Sequence, residues 1–351
     1  MSVHRQENGK WAVSFYYDEW NGERIRHRKT GFRTKKEAQE YERKFLENKS
    51  GTPKMAFNEL VELYLVDCKG RLRASTYMTK STIINTKILP FFKNVPVDSI
   101  TPAMIRRWQT EMIQSGLYSK TYLKQMHTQL SAILRYAMKY YGLKDNPALQ
   151  CGTMGKPNAD AMQFWTMDEF NTFVETLRDK PHGYVMFHLL FWTGMRSGEL
   201  LALTLNDFDF DVNTVSITKS YNRLHKQDII GEPKTPKSRR IVAVPHRIMD
   251  MVANYAKLLP HYQPEDRLFP FTRHTLIGQL EAGCAASGVK KIRVHDLRHS
   301  HASLLIEIGA SPLLIAERLG HDSIQTTLET YSHLYPNKQD NLAEQLNHMI
   351  P

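Results

Sequence analysis

The chain has 351 residues, 41% of them hydrophobic and 24% charged, which is too long for one ordinary core and too apolar for a disordered polymer. Lys and Arg total 47 against 36 Asp and Glu, and the net charge of +11 points to an extended polyanion, nucleic acid before any other. Three distant cysteines, Cys68, Cys151 and Cys284, exclude a disulfide framework and a cysteine-based zinc site.

The N-terminus, MSVHRQENGKWAV, carries no apolar signal-peptide core. Trp11, Val13, Phe15 and Tyr17 then alternate as one face of a strand, and Asn21-Gly22 reads as a hairpin turn. The return strand puts Arg24, Arg26 and Arg28 on a single face, because side chains alternate with period two. Such a row serves either as a solvated face or as a DNA-reading ribbon in the major groove. Thr34 with Glu37 three residues on is a capping box, opening a helix to about Asn48.

Residues 50–53 read as a linker, and helical periodicity over residues 56–141 predicts four helices. Thr101-Pro102 is a helix start, and residues 118–141 form a long helix ended by Gly142 and Asn146-Pro147. On that helix Lys120, Lys124 and Arg135 interleave with Tyr122, Met126, Leu130 and Leu134. The apolar set is core; the lysines contact DNA backbone or face water. Residues 151–160, with Gly152, Gly155 and Pro157, read as a second linker.

The rest is mainly helical, with strands and hairpins over residues 208–244 and turn residues at 211–213 and 233–238. Its longest apolar run, residues 185–192, is too short to span a bilayer and is broken by His188, so a cytoplasmic protein without membrane association is expected. TGMRSGELLAL places Arg196 after Gly194 at a helix start, a setting for anion binding, with Glu199 close enough to orient donors. EPKTPKSRRIVAVP reads as a tight basic hairpin with Lys234 before its turn, placed to donate a proton to a leaving alkoxide. In HDLRHSHAS, His295 and Arg298 lie three apart on one side of a helical turn and can reach one phosphate. A zinc site on His295 and His299 is the rival reading, without a third ligand set. In LGHDSIQTTLETYSHL, Tyr331 follows His321 by ten residues, yet Ile324, Leu328, Tyr331 and Tyr335 also keep the spacing of a core stripe.

In this order the segments resemble the tyrosine recombinases, the phage-type integrase family: the arginine of TGMRSGELLAL, a hairpin lysine, His-x-x-Arg, LGH and TYSHL, spanning residues 193–334. The resemblance implies a multidomain fold, mainly α with small β-sheets. A β-sheet-plus-helix arm-binding domain would span residues 1–50, a four-helix core-binding domain 54–150, and an α+β catalytic domain with a C-terminal tail helix 160–351. It also implies roles. Tyr331 would attack the scissile phosphate to give a 3′-phosphotyrosine bond and a free 5′-hydroxyl. Arg196 and Arg298 would hold the non-bridging oxygens, and Lys234 would protonate the leaving 5′-oxygen. His295 would move a proton or touch the phosphate, His321 would hydrogen-bond it, and Glu199 would support the first arginine.

One phosphodiester is exchanged for another, so no cofactor or metal is expected, and the sequence shows neither a Walker loop nor a carboxylate pair for two-metal chemistry. The implied protein is a site-specific recombinase, the integrase of a phage or integrative mobile element. It would act on core and arm sites of double-stranded DNA as a homotetramer, with a DNA-bending protein and a directionality factor as further partners. Leu342, Leu346, Met349 and Ile350 form an apolar stripe that packs on its own domain or on a neighbouring protomer. A type IB topoisomerase-like enzyme and a non-catalytic DNA-binding regulator on the same scaffold are the alternatives.

Overall fold

A computed structural model describes residues 2–7, 9–18, 24–49, 54–156, 162–224, 226–233 and 236–334. The chain divides into two compact units, Met1–Asp160 and Ala161–Pro351. The Asn21-Gly22 turn, Lys234, and the tail from Tyr335 onward lie outside the described residues.

The first unit opens with an antiparallel sheet of β1 (Val3–Arg5), β2 (Trp11–Asp18) and β3 (Arg24–Phe32), followed by α1 (Lys35–Lys49). Strand alternation sends Val13 and Phe15 into a small core with Val3 and Ala38, against which Trp11, Tyr17, Tyr41 and Phe45 pack. The expected capping box is present: Glu37 N donates to Thr34 Oγ1 at 3.1 Å, and Thr34 N to Glu37 Oε2 at 3.4 Å. Arg24, Arg26 and Arg28 pair across the ladder with Asp18, Tyr16 and Ser14, on the face opposite the core.

Four helical stretches follow, in one core built on Phe57, Phe92, Trp108, Met126 and Leu130. They are α2 (Phe57–Arg71), a continuous rod, α5 (Pro102–Gln114) and α6 (Lys120–Tyr140). The rod consists of α3 (Ala74–Ile83), a π-turn (Ile84–Ile88) and α4 (Leu89–Phe92). Thr101 caps α5 by accepting from Met104 N, with proline at its first turn. A short α7 (Pro147–Gln150) comes next. The linker expected over residues 151–160 ends where the two units divide, and its described part, residues 151–156, packs onto the helices of the first unit. Cys151 and Met154 are buried in the helical core, Gln109 Nε2 donates to Gly152 O at 2.8 Å, and Lys156 N reaches Lys120 O at 3.2 Å. Gly155 has φ +79° and a Cβ there would lie 1.9 Å from Lys120 O, so the glycine permits a close approach of two chain segments, not flexibility.

In the second unit α8 (Met167–Glu175), α9 (Pro181–Thr193), α11 (His246–Lys257) and α12 (Arg273–Ser287) surround a large core, in which Phe170 stacks on Phe191 with centroids 3.9 Å apart. The short α10 (Ser197–Leu200) follows α9, and α13 (Asp296–Glu307), α14 (Pro312–Leu319) and α15 (Ile324–Tyr331) end the described chain. The strands β4 (Phe208–Asp209), β5 (Thr214–Ile217), β6 (Ser220–Leu224), β7 (Gln227–Gly231) and β8 (Arg240–Ala243) form two sheets, ordered β4-β5-β8 and β6-β7. The basic segment 232–245 is therefore not a hairpin of its own. The strand before it, β7, pairs with β6, and the strand within it, β8, pairs with β5, so residues 232–239 cross from one sheet to another. The turn at 211–213 is as expected: Asp209 Oδ1 accepts from the backbone N of Asp211 and Val212, and Asn213 takes φ +54°.

Candidate active site

Three chain reversals deliver the residues. Gly194, at φ +64°, ends α9 in the left-handed conformation and lets the chain turn into Arg196; a Cβ there would meet His301 Cδ2 at 2.6 Å and Leu319 Cδ2 at 2.7 Å. Gly320, at φ +66°, ends α14 the same way and presents His321, whose backbone N donates to Ala316 O at 2.9 Å. His295 stands at the N-terminal end of α13, which carries Arg298 one turn on.

Glu199, 2% exposed, organises the first arginine. Its Oε1 accepts from Arg196 Nη1 at 2.8 Å, and its Oε2 from Arg196 N at 2.8 Å and Arg240 Nη2 at 2.9 Å. Burial alone would raise the carboxyl pKa, but the hydrogen bond and charge of Arg240, with Arg196, outweigh it and hold Glu199 ionised. Arg196 keeps 38% of its side chain exposed, so the charge fixed from behind faces outward.

Arg298 is 3% exposed and donates Nη1 to Gly194 O at 2.9 Å, while its buried Nη2 has no hydrogen-bond partner among the described residues. Burial, then the charges of Arg196 and Arg240, push its pKa down to about 9. An orphaned donor on a buried cation is costly, on the order of 1–3 kcal/mol or more, and an anion seated against it removes that cost.

Both expected histidines are neutral at neutral pH. The edge of His295 is open to solvent, but enclosure of the ring by protein, then His299, Arg298 and Arg196, hold its pKa at about 4. His321 is also held at about 4 by burial and then by Arg298, Arg196 and Arg240, and its Nδ1 lies 2.7 Å from the hydroxyl of the buried Thr327, which fixes the ring.

Tyr331 is 1% exposed and packs with Ala302, Ile306, Ile315 and Leu319. The core stripe suggested by its spacing does not form, since Ile324 is 42% and Leu328 36% exposed; on α15 the apolar side chains face water and the tyrosine turns inward. Burial raises its pKa to about 12, against the lowering influence of Arg298. Its hydroxyl is 2.8 Å from His299 Nδ1.

The structure thus brings together Arg196, Glu199, His295, Arg298, His321 and Tyr331 from segments up to 135 residues apart (331 − 196). Lys234 falls outside the described residues; its neighbour Lys237 donates Nζ to Asp322 O at 2.7 Å, beside His321. The other expected DNA contacts lie in the first unit. Arg24 and Arg26 flank the exposed Tyr16 ring at 5.4 and 6.0 Å, Arg28 is exposed, and Lys120 is exposed at the start of α6. Lys124 lines a groove of about 330 Å³ with Thr128, Arg135 and Thr153. The residues 295 and 299 considered for zinc gain no third ligand: no metal-binding group of His, Cys, Asp or Glu occurs among the described residues. Nor is any described helix long and apolar enough to cross a membrane.

Sequence reasoning missed two participants. Arg240, 5% exposed on its side chain, donates Nε to Arg318 O at 2.8 Å, Nη1 to Ser238 O at 3.0 Å and Nη2 to Glu199. In SRRIVAVP it looks like one more surface cation, and only its burial distinguishes it from Arg239. His299 was weighed only as a metal ligand; the signal that would have found it is its place one residue after Arg298, one turn from His295.

Comparison with known proteins identifies the family. Residues 163–338 match the phage integrase family, 56–113 the N-terminal SAM-like domain of phage integrases, and 1–49 an arm DNA-binding domain. The chain is 31% identical to the ICEBs1 integrase of Bacillus subtilis over 373 aligned positions, covering 100% of both proteins. It is 25% identical to the integrase of Staphylococcus phage L54a, covering 74% of this chain and 84% of that one. Among solved structures, the Tn1549 transposon integrase in complex with a circular intermediate DNA superposes with a TM-score of 0.72 at 19% identity, over 84% of this chain and 99% of that one. A lambda integrase dimer bound to a COC′ core site gives a TM-score of 0.62 at 17% identity, over 96% and 95%. The chain belongs to the phage integrase family and is a tyrosine recombinase, an enzyme that cuts and rejoins DNA strands at specific sites.

Proposed function

We propose that the protein is the integrase of an integrative mobile element and that Tyr331 is its nucleophile. The observation that carries the site assignment is Arg298: a buried guanidinium with an unpartnered donor, next to Arg196 in charge and to Tyr331 in space, is a seat for a phosphate. The end-to-end likeness to the ICEBs1 integrase supports the element.

Tyr331 Oη bonds to phosphorus while the P–O5′ bond breaks. Arg298 and Arg196 hold the two non-bridging oxygens as their charge grows, with Glu199 and Arg240 fixing Arg196 from behind. Lys234 supplies the proton to the 5′-oxygen. His321, oriented by Thr327, donates to the phosphate, and His295, neutral at pH 7, contacts it or moves a proton. Bond energy is retained in the phosphotyrosine link, so a 5′-hydroxyl from a second strand reverses the step.

The domain plan is part of the same proposal. Residues 1–50 bind arm sites through the β3 arginines, residues 54–150 bind the core site with Lys120 and Lys124 toward the backbone, and residues 160–351 catalyse. The working form is a homotetramer on DNA, in line with the lambda integrase tetramer seen bound to a Holliday junction. A DNA-bending protein and a directionality factor complete the assembly in the cytoplasm.

The test uses a nicked duplex carrying the protein's candidate attachment core. A denaturing gel should show a covalent protein–DNA band that is absent in Tyr331→Phe, and two intact duplexes should exchange strands within a four-protomer complex. No band on well-bound core DNA would leave only a DNA-binding regulator. A band without strand exchange would favour the topoisomerase-like alternative.

A further inference from the structure

We propose that His299 is the general base that takes the proton of Tyr331 as the tyrosine attacks. The proposal rests on Tyr331 being the nucleophile.

The Nδ1 of His299 lies 2.8 Å from the tyrosine hydroxyl, inside the range of about 2.6–3.2 Å needed for direct proton transfer. The two rings meet at 61° with centroids 5.6 Å apart, so the imidazole edge addresses the hydroxyl. Water is a poor rival acceptor, because Tyr331 is 1% exposed in an apolar pocket of Ala302, Ile306, Ile315 and Leu319. The other two site histidines are differently engaged. The Nδ1 of His321 is committed to Thr327, and His295 stands perpendicular to His299 at 5.4 Å, with its edge in solvent.

Charges on every side of His299 are compatible with the role. Burial lowers its pKa, Asp296 on its own helix raises it, and Arg293 and Arg298 lower it. The ring is therefore neutral at neutral pH, and the tautomer with hydrogen on Nε2 offers Nδ1 a lone pair. The nearby carboxylate of Asp296 is 1% exposed and favours the imidazolium that forms, while Arg293 neutralises the rest of its charge through three contacts of 2.8–3.1 Å.

The step balances. The Tyr331 O–H bond breaks and its proton moves to His299 Nδ1, Oη forms the bond to phosphorus, the P–O5′ bond breaks, and the leaving 5′-oxygen receives its proton from Lys234. In religation the incoming 5′-hydroxyl returns a proton to the lysine and the imidazolium returns one to the phenol oxygen. No oxidant, metal or external base is consumed.

The experiment measures single-turnover formation of the covalent complex by the full-length protein on the nicked attachment-core duplex. His299→Phe and His299→Gln should each slow it by about 100-fold or more, the usual scale of general-base catalysis, with core-DNA affinity retained. Replacing Tyr331 by 3,5-difluorotyrosine, whose phenol is more acidic, should recover about tenfold or more of the loss in the His299→Phe protein while leaving the wild-type rate unimproved. Wild-type speed in His299→Gln would overturn the proposal, because a hydrogen bond alone would suffice. Faster cleavage by His299→Phe would overturn it too, making His299 a restraint on the tyrosine. A loss unaffected by difluorotyrosine would mean that the ring only positions its neighbour. Covalent product from Tyr331→Phe would instead remove the nucleophile assignment beneath the proposal.

Discussion

Arg240 occupies a position where three acceptors from three parts of the chain converge on one buried guanidinium: Glu199 Oε2, Ser238 O and Arg318 O. Its planar fork reaches all three at once, which a lysine ammonium on a single flexible stem does not. Arg240→Met should cost about 3–5 kcal/mol of stability, the scale for breaking a buried ion pair by removing one partner. Arg240→Lys should recover only part of that, and both variants should cleave the nicked duplex more slowly than they lose core-DNA binding. Chemical denaturation and single-turnover cleavage measure the two effects. A lysine variant equal to wild type in both would show that charge alone matters at this position.

The β3 strand shows what one element contributes independently of the rest. Its arginines are exposed and stand opposite the small core, so Arg24, Arg26 and Arg28 changed together to Ser should leave folding within about 0.5 kcal/mol per site. If they meet phosphates, arm-site affinity should fall and its slope against log salt should flatten by about 0.9 per lost contact. Anisotropy titrations over a range of salt read this directly, with core-site cleavage as the internal control. An unchanged slope would return the row to an ordinary wet face. Its partner strand β2 was legible in the sequence, because period-two alternation survives translation into burial at Val13 and Phe15. Caps were equally legible at Thr34 and Thr101, where a side chain close in sequence satisfies the orphan backbone groups. What failed was non-local. The segment 232–245 was read as a hairpin because its residues are close in sequence, yet strand pairing is decided across the chain, and β8 found β5. Arg240 was passed over for the same reason: burial and partners 41 and 78 residues away leave no local trace. The motifs of the site were legible because each packs several chemical groups into a few residues.

At the scale of the whole catalytic unit, acid should act through buried neutral histidines. His188 is 8% exposed and burial lowers its pKa to about 4. His301 is 2% exposed, accepts Arg318 Nε at 2.9 Å, and is lowered to about 3 by burial and then by Arg318. Each folded value lies below the unfolded value of about 6.5, so the unfolded chain takes up its proton first. Their contribution is complete above pH 6.5 or so and is lost progressively as pH falls toward 4 and below, on the order of 1–2 kcal/mol for each at pH 5. Denaturation midpoints at pH 7 and pH 5 should show the fall, and His188→Leu should remove its share of the slope. A stability that rose between pH 7 and pH 5 would contradict the assignment.

The crossover between the two small sheets has a mechanical meaning. Its far end is fastened twice to the stretch that bears His321: Lys237 holds Asp322 O, and Arg240 holds Arg318 O, with Gly320 small enough to let them in. Residues 237–240 and the turn that bears His321 are thereby riveted together, so a displacement of either is carried to the other.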